Sequence, residues 1–430
     1  MCLQSLADET LARFPDRIDS RLCSLCARSS GLSTWGRFVK MRPLLNIARL
    51  LILGSLAARA AGAQDLVKSA DLPQANWILD NAPRKNLLPC YIQLSSKLHL
   101  DLLFRYTAGF LIECRLGVAL PPGTRLVALL RITPRLGAPV LMMEHFDLPQ
   151  ARQQDPAGLF AAPFQSQASM SGGFAVGPGE YSVELVLADL NGHTCRKRKV
   201  LKPGEERGAR NVPFAIKPGA VAPLMTMRWN GALASNGLRL TVFLNAYGPN
   251  GSTYLRAFER AYVMQSLFTL LTQIPCKSIK LVAFELDRQQ EVFRQEPFDA
   301  GGFVQLQNAM ERISFASISY QALQKGTWRR FLVDLVKTES ASDEPPDVII
   351  FLGAWGSHEW EKLPREEASK IEIANAHVSY FELFPLVGGA PDGVERLTKD
   401  LHGSVYAIRS PETLAQAIKK TLSRTAAPSN

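Results

Sequence analysis

The sequence predicts a multidomain protein in which an all-β sandwich is followed by a three-layer α/β domain. Its 430 residues are too many for one ordinary core, because a domain typically uses roughly 100–200 residues. Short alternating segments dominate as far as residue 200, and from residue 238 strands alternate with helical segments. Hydrophobic residues make up 47% of the chain and charged residues 20%, which is typical of globular cores.

The first domain is assigned to residues 64–202 from β-rich segments that turn residues separate. Short strands at such spacing are typical of a sandwich. The region 150–173 lacks periodicity, and we interpret it as a mobile surface loop. The predicted strands are 91–94, 98–106, 110–118, 125–133, 140–146, 181–188 and 193–200.

One hairpin gives this sandwich a more specific interpretation. Gly177-Pro178-Gly179 precedes YSVELVLA, the turn DLNG follows, and residues 193–200 return. The pattern resembles the ending of immunoglobulin-like modules in bacterial exported proteins. The resemblance covers about twenty residues and implies an immunoglobulin-like sandwich, without a particular activity.

The second domain is assigned to residues 224–425, after a Pro- and Gly-rich segment, 203–223, that we interpret as a linker. Residues 426–430 are a tail. Alternating strands and helices indicate a parallel-rich sheet covered on both faces, which binds ligands beyond the carboxyl ends of its strands. We predict strands at 238–245, 278–286, 346–352, 378–384 and 404–408, and helices at 254–273, 302–313, 327–337 and from Ser410 onward.

Three segments of the second half resemble the von Willebrand factor type A family, over roughly residues 227–424. They are LRLTVFLNAYGPNGS before a long helix, the strand DVIIFLGAWG, and HGSVYAIRSPETLAQAI. In detail the chain also resembles the divergent A-type proteins of acidobacteria. The resemblance implies a Rossmann-like three-layer domain with a metal-ion-dependent adhesion site for Mg²⁺ or Ca²⁺.

The residues of that adhesion site are largely replaced in this chain. The family's DxSxS motif falls on Asn245, Tyr247 and Pro249, and its final Asp falls on Ala354, while the Thr is retained as Thr327. Losing both carboxylates removes most of the charge that draws a hard divalent cation from water. We therefore expect a degenerate site without a metal cofactor. Mg²⁺ or Ca²⁺ binding in a metal-dependent adhesion protein is the alternative.

The same end of the sheet is expected to carry Tyr247, Trp355, His358 and Trp360, residue types that often anchor protein interfaces. They favour a non-catalytic adhesion or assembly module with a protein partner; the competing interpretation is that the tryptophans only cover the sheet end. The sequence contains no HExxH, GxSxG or P-loop motif. A cryptic hydrolase that uses His358 and Glu359 is the second alternative.

The N-terminal region predicts export. A basic start at Met41-Arg42, a short apolar run at 50–58 and small residues before Gln64 have the build of a signal peptide, residues 41–63. Residues 1–40 are then a non-native extension, with translation starting at Met41 rather than Met1. We expect a periplasmic or extracellular protein that contacts a membrane only through an uncleaved signal segment.

Charge argues against a nucleic-acid partner. The net charge is +10, and the residues before Gln64 carry nine Lys/Arg and four Asp/Glu, so 10 − 5 leaves +5 for the remainder. The densest basic run, RKRK at 196–199, is predicted to be a solvated strand edge, with a lipid or polyanion patch as the alternative.

The cysteines leave several arrangements open. Cys90, Cys114, Cys195 and Cys276 follow the signal, and export permits disulfides among them in three pairings. Buried thiols are the other interpretation. The CxxC at 23–26 is expected to be missing from the mature protein.

Overall fold

The protein is a sheet-rich, multidomain molecule, and the residues that the structure describes form three sheets. None of the helices within the described ranges has the length and apolar content to cross a membrane. The computed structural model describes residues 65–82, 87–115, 120–121, 123–148, 167–204, 209–224, 227, 229–246, 248–249, 255–286, 288–312, 327–354, 371, 376–385 and 391–425.

Two antiparallel sheets form the N-terminal β-sandwich. Their strands are β1 (Asp65–Leu66), β2 (Cys90–Leu94), β3 (His99–Leu100), β4 (Tyr106–Arg115), β5 (Arg125–Pro134), β6 (Val140–Asp147), β7 (Gln167–Val176), β8 (Tyr181–Asp189), β9 (Thr194–Leu201) and β10 (Val221–Pro223). The first sheet has the order β1-β6-β5-β8-β9. The second has the order β10-β7-β4-β2, with β3 paired to β4.

The structure corrects two predictions within the sandwich. The segment 98–106 is not one strand, because a turn at Asp101 separates β3 from β4; the Asp101 carboxylate accepts hydrogen bonds from the Leu103 and Arg105 amides at 3.0 and 3.2 Å. The loop predicted at 150–173 is wrong for residues 167–173, which belong to β7 and pair with β4. Because β7 contains small residues such as Gly173, its sequence shows no apolar periodicity. Gly173 packs closely against β4, since an added Cβ would lie 2.8 Å from the Ala108 carbonyl oxygen.

The linker prediction is wrong for its last three residues. Val221–Pro223 is β10, an edge strand of the sandwich that pairs with β7. Proline is tolerated there because an edge strand leaves part of its backbone unpaired. Pro203 is also tied to the sandwich through an isolated bridge with Leu98. The segment between the domains is therefore partly built into the first one.

The structure selects one cysteine pairing. Cys90 on β2 and Cys195 on β9 form a disulfide with their Cα atoms 6.3 Å apart, joining the two sheets. Cys114 and Cys276 are buried free thiols. A helix that was not predicted, α1 (Leu72–Asn81), buries Ala75 against the outer face of the first sheet.

The second domain is a six-stranded sheet with helices on both faces. The strand order is β13-β12-β11-β14-β15-β16, parallel throughout except for β13. The strands are β11 (Leu238–Asn245), β12 (Cys276–Glu285), β13 (Gln290–Gln295), β14 (Val348–Ala354), β15 (His377–Leu383) and β16 (Ser404–Ile408). The helices are α2 (Ala257–Gln273), α3 (Ala300–Arg312), α4 (Thr327–Ser340), α5 (Gly393–Asp400) and α6 (Pro411–Thr425).

Successive residues of each strand point to opposite faces of the sheet, and different helices pack on the two faces. Val242 on β11 points into the core shared with α2, α3 and α6, whereas its neighbour Phe243 points into the core shared with α4 and α5. The three-layer α/β prediction is confirmed at this level. Strand β13 and helix α5 were not predicted, since neither carries a long apolar pattern.

Candidate functional site

The strand order creates a crevice between β11 and β14. These strands are neighbours in the sheet, but the chain leaves them toward opposite edges, and such switch points are where open α/β sheets bind ligands. At their carboxyl ends Asn245 pairs with Gly353, and Gly353 pairs with Glu382 on β15. We call Asn245, Gly353 and Glu382 the edge row. It lies on the sheet face that α4 and α5 cover.

An aromatic layer lies one step below the edge row. Phe243, Phe351 and Tyr380 occupy the same three strands two residues earlier, and all three are buried. The rings of Phe243 and Phe351 stack with centroids 5.1 Å apart. Packed aromatic rings in a sheet interior are stiff, so the edge row rests on a rigid base.

Asn245 and Gly353 fit each other closely. Asn245 is only 2% exposed, and its amide nitrogen lies 3.5 Å from the Ala354 carbonyl oxygen, at the outer limit of a hydrogen bond. A Cβ added to Gly353 would lie 2.5 Å from the Asn245 Cβ, so glycine is required there. The carboxyl end of β11 thus holds a buried neutral amide.

Glu382 is an acid that titrates near neutrality. Burial raises its pKa to about 7, and the negative charges of Asp392 and Glu395 raise it further than Arg409 and Lys399 lower it. The side chain belongs to a residue that is 8% exposed. Near pH 7 the edge row therefore changes between a neutral and a negative state.

Asp392, whose charge raises the pKa of Glu382, connects the start of α5 to Tyr380. Its Oδ1 accepts a hydrogen bond from the Glu395 amide at 2.7 Å and so caps the N-terminus of α5. The Tyr380 hydroxyl lies 3.2 Å from Asp392 Oδ2 and 3.3 Å from the Ala354 carbonyl oxygen. Burial, followed by the charge of Asp392, holds the pKa of Tyr380 well above its usual value. Tyr380 therefore stays a hydrogen-bond donor at this edge.

Trp328 brings the start of α4 to the same place. It is 8% exposed, and a Cβ on Gly393 would lie 2.3 Å from its ring. The indole therefore packs directly on the first residue of α5. Trp328 of α4 and the N-terminus of α5, with its partial positive charge, therefore lie together at the carboxyl edge.

The predicted site residues have different outcomes. The Asn245 amide nitrogen lies 3.5 Å from the Ala354 carbonyl oxygen, Pro249 is buried beyond β11, and Thr327 is the first described residue of α4. Tyr247, Trp355, His358, Glu359 and Trp360 lie outside the described residues, so their roles remain predictions.

Sequence reasoning missed Tyr380, Glu382 and Asp392. The signals were present: a glutamate near the end of an otherwise apolar strand, and Pro-Asp-Gly followed by Glu395, a helix-start pattern. Across the described ranges, no group of three or more His, Cys, Asp or Glu side chains is placed to hold a metal ion.

Together these features define a β-rich multidomain protein with an acid-bearing edge on an open α/β sheet. No family model matches the chain, and no curated protein matches it. Among solved structures it is similar to the PilB minor pilin from Streptococcus sanguinis, with 9% identity and a TM-score of 0.26 over 57% of this chain and 74% of that one. A mutant of the same pilin matches 80% of both chains at the same identity and TM-score.

A glycosyl hydrolase family 2 member from Bacteroides cellulosilyticus is also similar, with 8% identity and a TM-score of 0.17. That match covers 75% of this chain and 37% of the hydrolase. Similarities at this level carry no argument about function, so the proposals below rest on the residues of this chain.

Proposed function

We propose that the protein is an exported, non-catalytic adhesion or assembly module that binds a protein partner at the carboxyl edge of the α/β sheet, next to the edge row. The observation that carries the proposal is the replacement of the leading carboxylate by buried Asn245 at the switch point, beside the titrating acid Glu382. The edge row of Asn245, Gly353 and Glu382 contains no pair of nucleophile and base. Such an edge suits recognition better than bond cleavage.

The domain types in this proposal are an immunoglobulin-like sandwich and a type A-like α/β domain. Support for the second comes from where the three resembling segments lie. They form strand β11, strand β14, and strand β16 together with helix α6. Strands β11 and β14 are the first and fourth strands of the domain along the chain, and they are neighbours in the sheet. Support for the first is the β8–β9 hairpin, in which Ala188 pairs with Thr194 across the turn.

The donor chemistry of the edge does not fit a divalent cation. Asn245 directs its amide nitrogen toward the Ala354 carbonyl, and Ala354 itself offers no side-chain oxygen. Mg²⁺ and Ca²⁺ are held by several oxygen ligands, usually including carboxylates. The metal-dependent alternative would need Glu382 and Asp392 to serve as ligands, but Asp392 already caps α5 and accepts from Tyr380.

Export is supported by the Cys90–Cys195 disulfide together with the signal-like segment 41–63. Disulfides form and persist in oxidising compartments such as the periplasm and the extracellular space. In a reducing cytosol the same two thiols would stay apart and the sandwich would lose its covalent bridge.

The metal question is tested by calorimetric titration of the full chain with Mg²⁺ and Ca²⁺, together with thermal melts with and without chelator. We expect no binding heat and an unchanged melt. Saturable heat that disappears in Thr327→Ala would instead establish the metal-dependent adhesion protein.

Partner binding is tested with the immobilised full chain and exported proteins of the source cell. Glu382→Lys reverses the charge of the edge row, and Glu311→Lys, at an exposed position of α3, makes the same change elsewhere. We expect a partner whose retention falls at least about tenfold with Glu382→Lys and is unchanged by Glu311→Lys, as for loss of a charged contact. Equal retention by all three proteins would contradict the proposal.

A further inference from the structure

A basic cavity of about 260 Å³ lies on the outer face of the first sheet, in the sandwich and not in the domain that carries the edge row. We call it the arginine pocket. Its lining contains three guanidinium groups and two hydroxyl groups but a single carboxylate. The lining residues are Arg131, Thr133, Pro139, Ser182, Glu184, Arg196 and Arg198.

Strand register explains how the pocket forms. Arg131 on β5 and Arg198 on β9 both pair with Glu184 on β8, so the three residues make one row across the sheet. Neighbouring residues of a strand point to opposite faces, so Lys197, which pairs with Leu185 of the sandwich core, lies on the other face. The basic run at 196–199 therefore sends its arginines into the pocket and its lysines away from it.

Glu184 holds two of the arginines in place. Its side chain is only 6% exposed, and its Oε2 accepts from Arg131 at 2.7 and 3.1 Å, while its Oε1 is ion-paired with Arg196. Arg196 also donates to the Ala82 carbonyl oxygen at 3.2 Å. Arg131 is also ion-paired with Asp80 at 2.7 Å, so three arginines against two carboxylates leave a local charge of 3 − 2 = +1.

Arg198 is the arginine that can accept a ligand. It is exposed, and its Nε donates to the Ser182 hydroxyl at 3.3 Å. Within the part of the chain that the structure describes, its two terminal nitrogens have no hydrogen-bond partner. A planar guanidinium offers a pair of parallel donors, which matches the oxygen spacing of a phosphate group.

Protection of the edge strand does not account for this arrangement. Charges on β9 would discourage strand-to-strand aggregation from any exposed position. Protection requires neither a buried glutamate that orients two guanidinium groups nor the hydroxyl groups of Thr133 and Ser182 in the same cavity. Oriented donors around a cavity with excess positive charge are what an anion site needs.

We infer that the arginine pocket binds a phosphate group. The excess positive charge attracts a phosphate monoester, which carries about −1.5 to −2 near pH 7. The terminal nitrogens of Arg198 would hold two phosphate oxygens, and the hydroxyl groups of Ser182 and Thr133 would donate to others. The group is either free in solution or carried by a lipid, and the experiment separates these sources.

The test titrates the full chain with inorganic phosphate at constant ionic strength of about 0.15 M, to hold screening fixed. Arg198→Gln removes the proposed ligand-binding group, and Lys197→Gln removes the same charge from the opposite face. We expect saturable binding with Kd of roughly 1 mM or tighter. Arg198→Gln should weaken it at least about tenfold and Lys197→Gln less than twofold.

A second arm measures sedimentation with vesicles of phosphatidic acid in phosphatidylcholine, against phosphatidylcholine alone. Binding to the acidic vesicles that Arg198→Gln abolishes and Lys197→Gln preserves would assign the phosphate group to a lipid. Equal weakening by both variants, or no saturable binding in either arm, would overturn the inference. Thermal melts of both variants confirm that each remains folded.

Discussion

Removal of the Cys90–Cys195 disulfide is expected to destabilise the sandwich strongly. The bridge links β2 and β9, which lie in different sheets and are 105 residues apart in sequence. Closing a loop of that length in the unfolded chain costs about 4–5 kcal/mol of entropy, which the disulfide supplies in advance. The double variant Cys90→Ala/Cys195→Ala should therefore unfold with a free energy lower by about 4 kcal/mol.

Urea unfolding followed by circular dichroism measures this difference. With a urea slope of about 2 kcal/mol per M, the midpoint of the sandwich transition should fall by roughly 2 M. Reduction of the wild-type protein should produce the same shift. The same reductant should leave the double variant unchanged, since Cys114 and Cys276 are unpaired in the structure.

Two results would refute this reasoning. Peptide mapping without reduction should find Cys90 and Cys195 in one linked peptide; free thiols at both positions in oxidised protein would mean that the pairing is wrong. A double variant with the wild-type urea midpoint would mean that the bridge does not restrict the unfolded chain. The first result would also remove the structural support for export.

Three further variants test the second domain. Folded Glu382 keeps its proton up to about pH 7, whereas the ordinary pKa is 4.5. The unfolding free energy should therefore fall as the pH rises from 4.5 to about 7. Urea titrations at pH 5 and 8 should show that Glu382→Gln removes about 2 kcal/mol of that fall. The same pH dependence of the unfolding free energy in the variant and the wild type would contradict the raised pKa of Glu382. Buried Glu339 pairs with Lys280 at 2.7 Å and with Arg294, so Glu339→Gln should lower the melting temperature by roughly 5–10 °C; an unaltered melt would show that the network contributes nothing. Asn245→Asp should cost about 2–4 kcal/mol by burying a charge beside the Ala354 carbonyl; recovery of the melting temperature by Mg²⁺ would favour the metal-binding alternative.

The sequence predicted best the elements whose burial is uniform. Strand β14 is buried along its whole length and reads as a continuous apolar run, and the closing helix begins where Ser410 and Pro411 indicate. In both cases the local pattern and the tertiary environment agree, so no knowledge of the partners was needed.

Elements held by distant partners could not be predicted in this way. Strand β13 is polar and only partly buried, and its place at the sheet edge depends on antiparallel pairing with β12 and on the ion pair of Arg294 with Glu339 of α4. Strand β7 is rich in Gly and Ser, and its position depends on continuous pairing with β4. Neither arrangement leaves an apolar period in its own segment.

Likewise, some residues of the candidate site could be predicted from the sequence and others could not. The resemblance assigned Asn245 and Ala354 to one site, and both lie at or just beyond the ends of predicted strands, whose carboxyl ends form the ligand-binding edge. Glu382 depends on the register of β15, and a slip of one residue would turn its side chain to the opposite face of the sheet. The resemblance also directed attention to β11 and β14, whereas Glu382 lies on the next strand, β15, and Asp392 follows that strand.

The two domains pack against each other, which bears on how the edge row would act in an assembly. The Thr269 hydroxyl of α2 donates to the Leu102 carbonyl oxygen at 2.6 Å in a buried hydrogen bond, and one continuous apolar core includes residues of both domains. Arg105 of the sandwich also donates to the Leu224 carbonyl oxygen, at the start of the second domain, at 2.7 Å. Because breaking these contacts would expose apolar surface and leave buried polar groups unpaired, load on the edge row would pass through α2 into the disulfide-bridged sandwich. The proposed module thus places its recognition surface on the domain without a disulfide and its covalent reinforcement on the domain that would transmit the load.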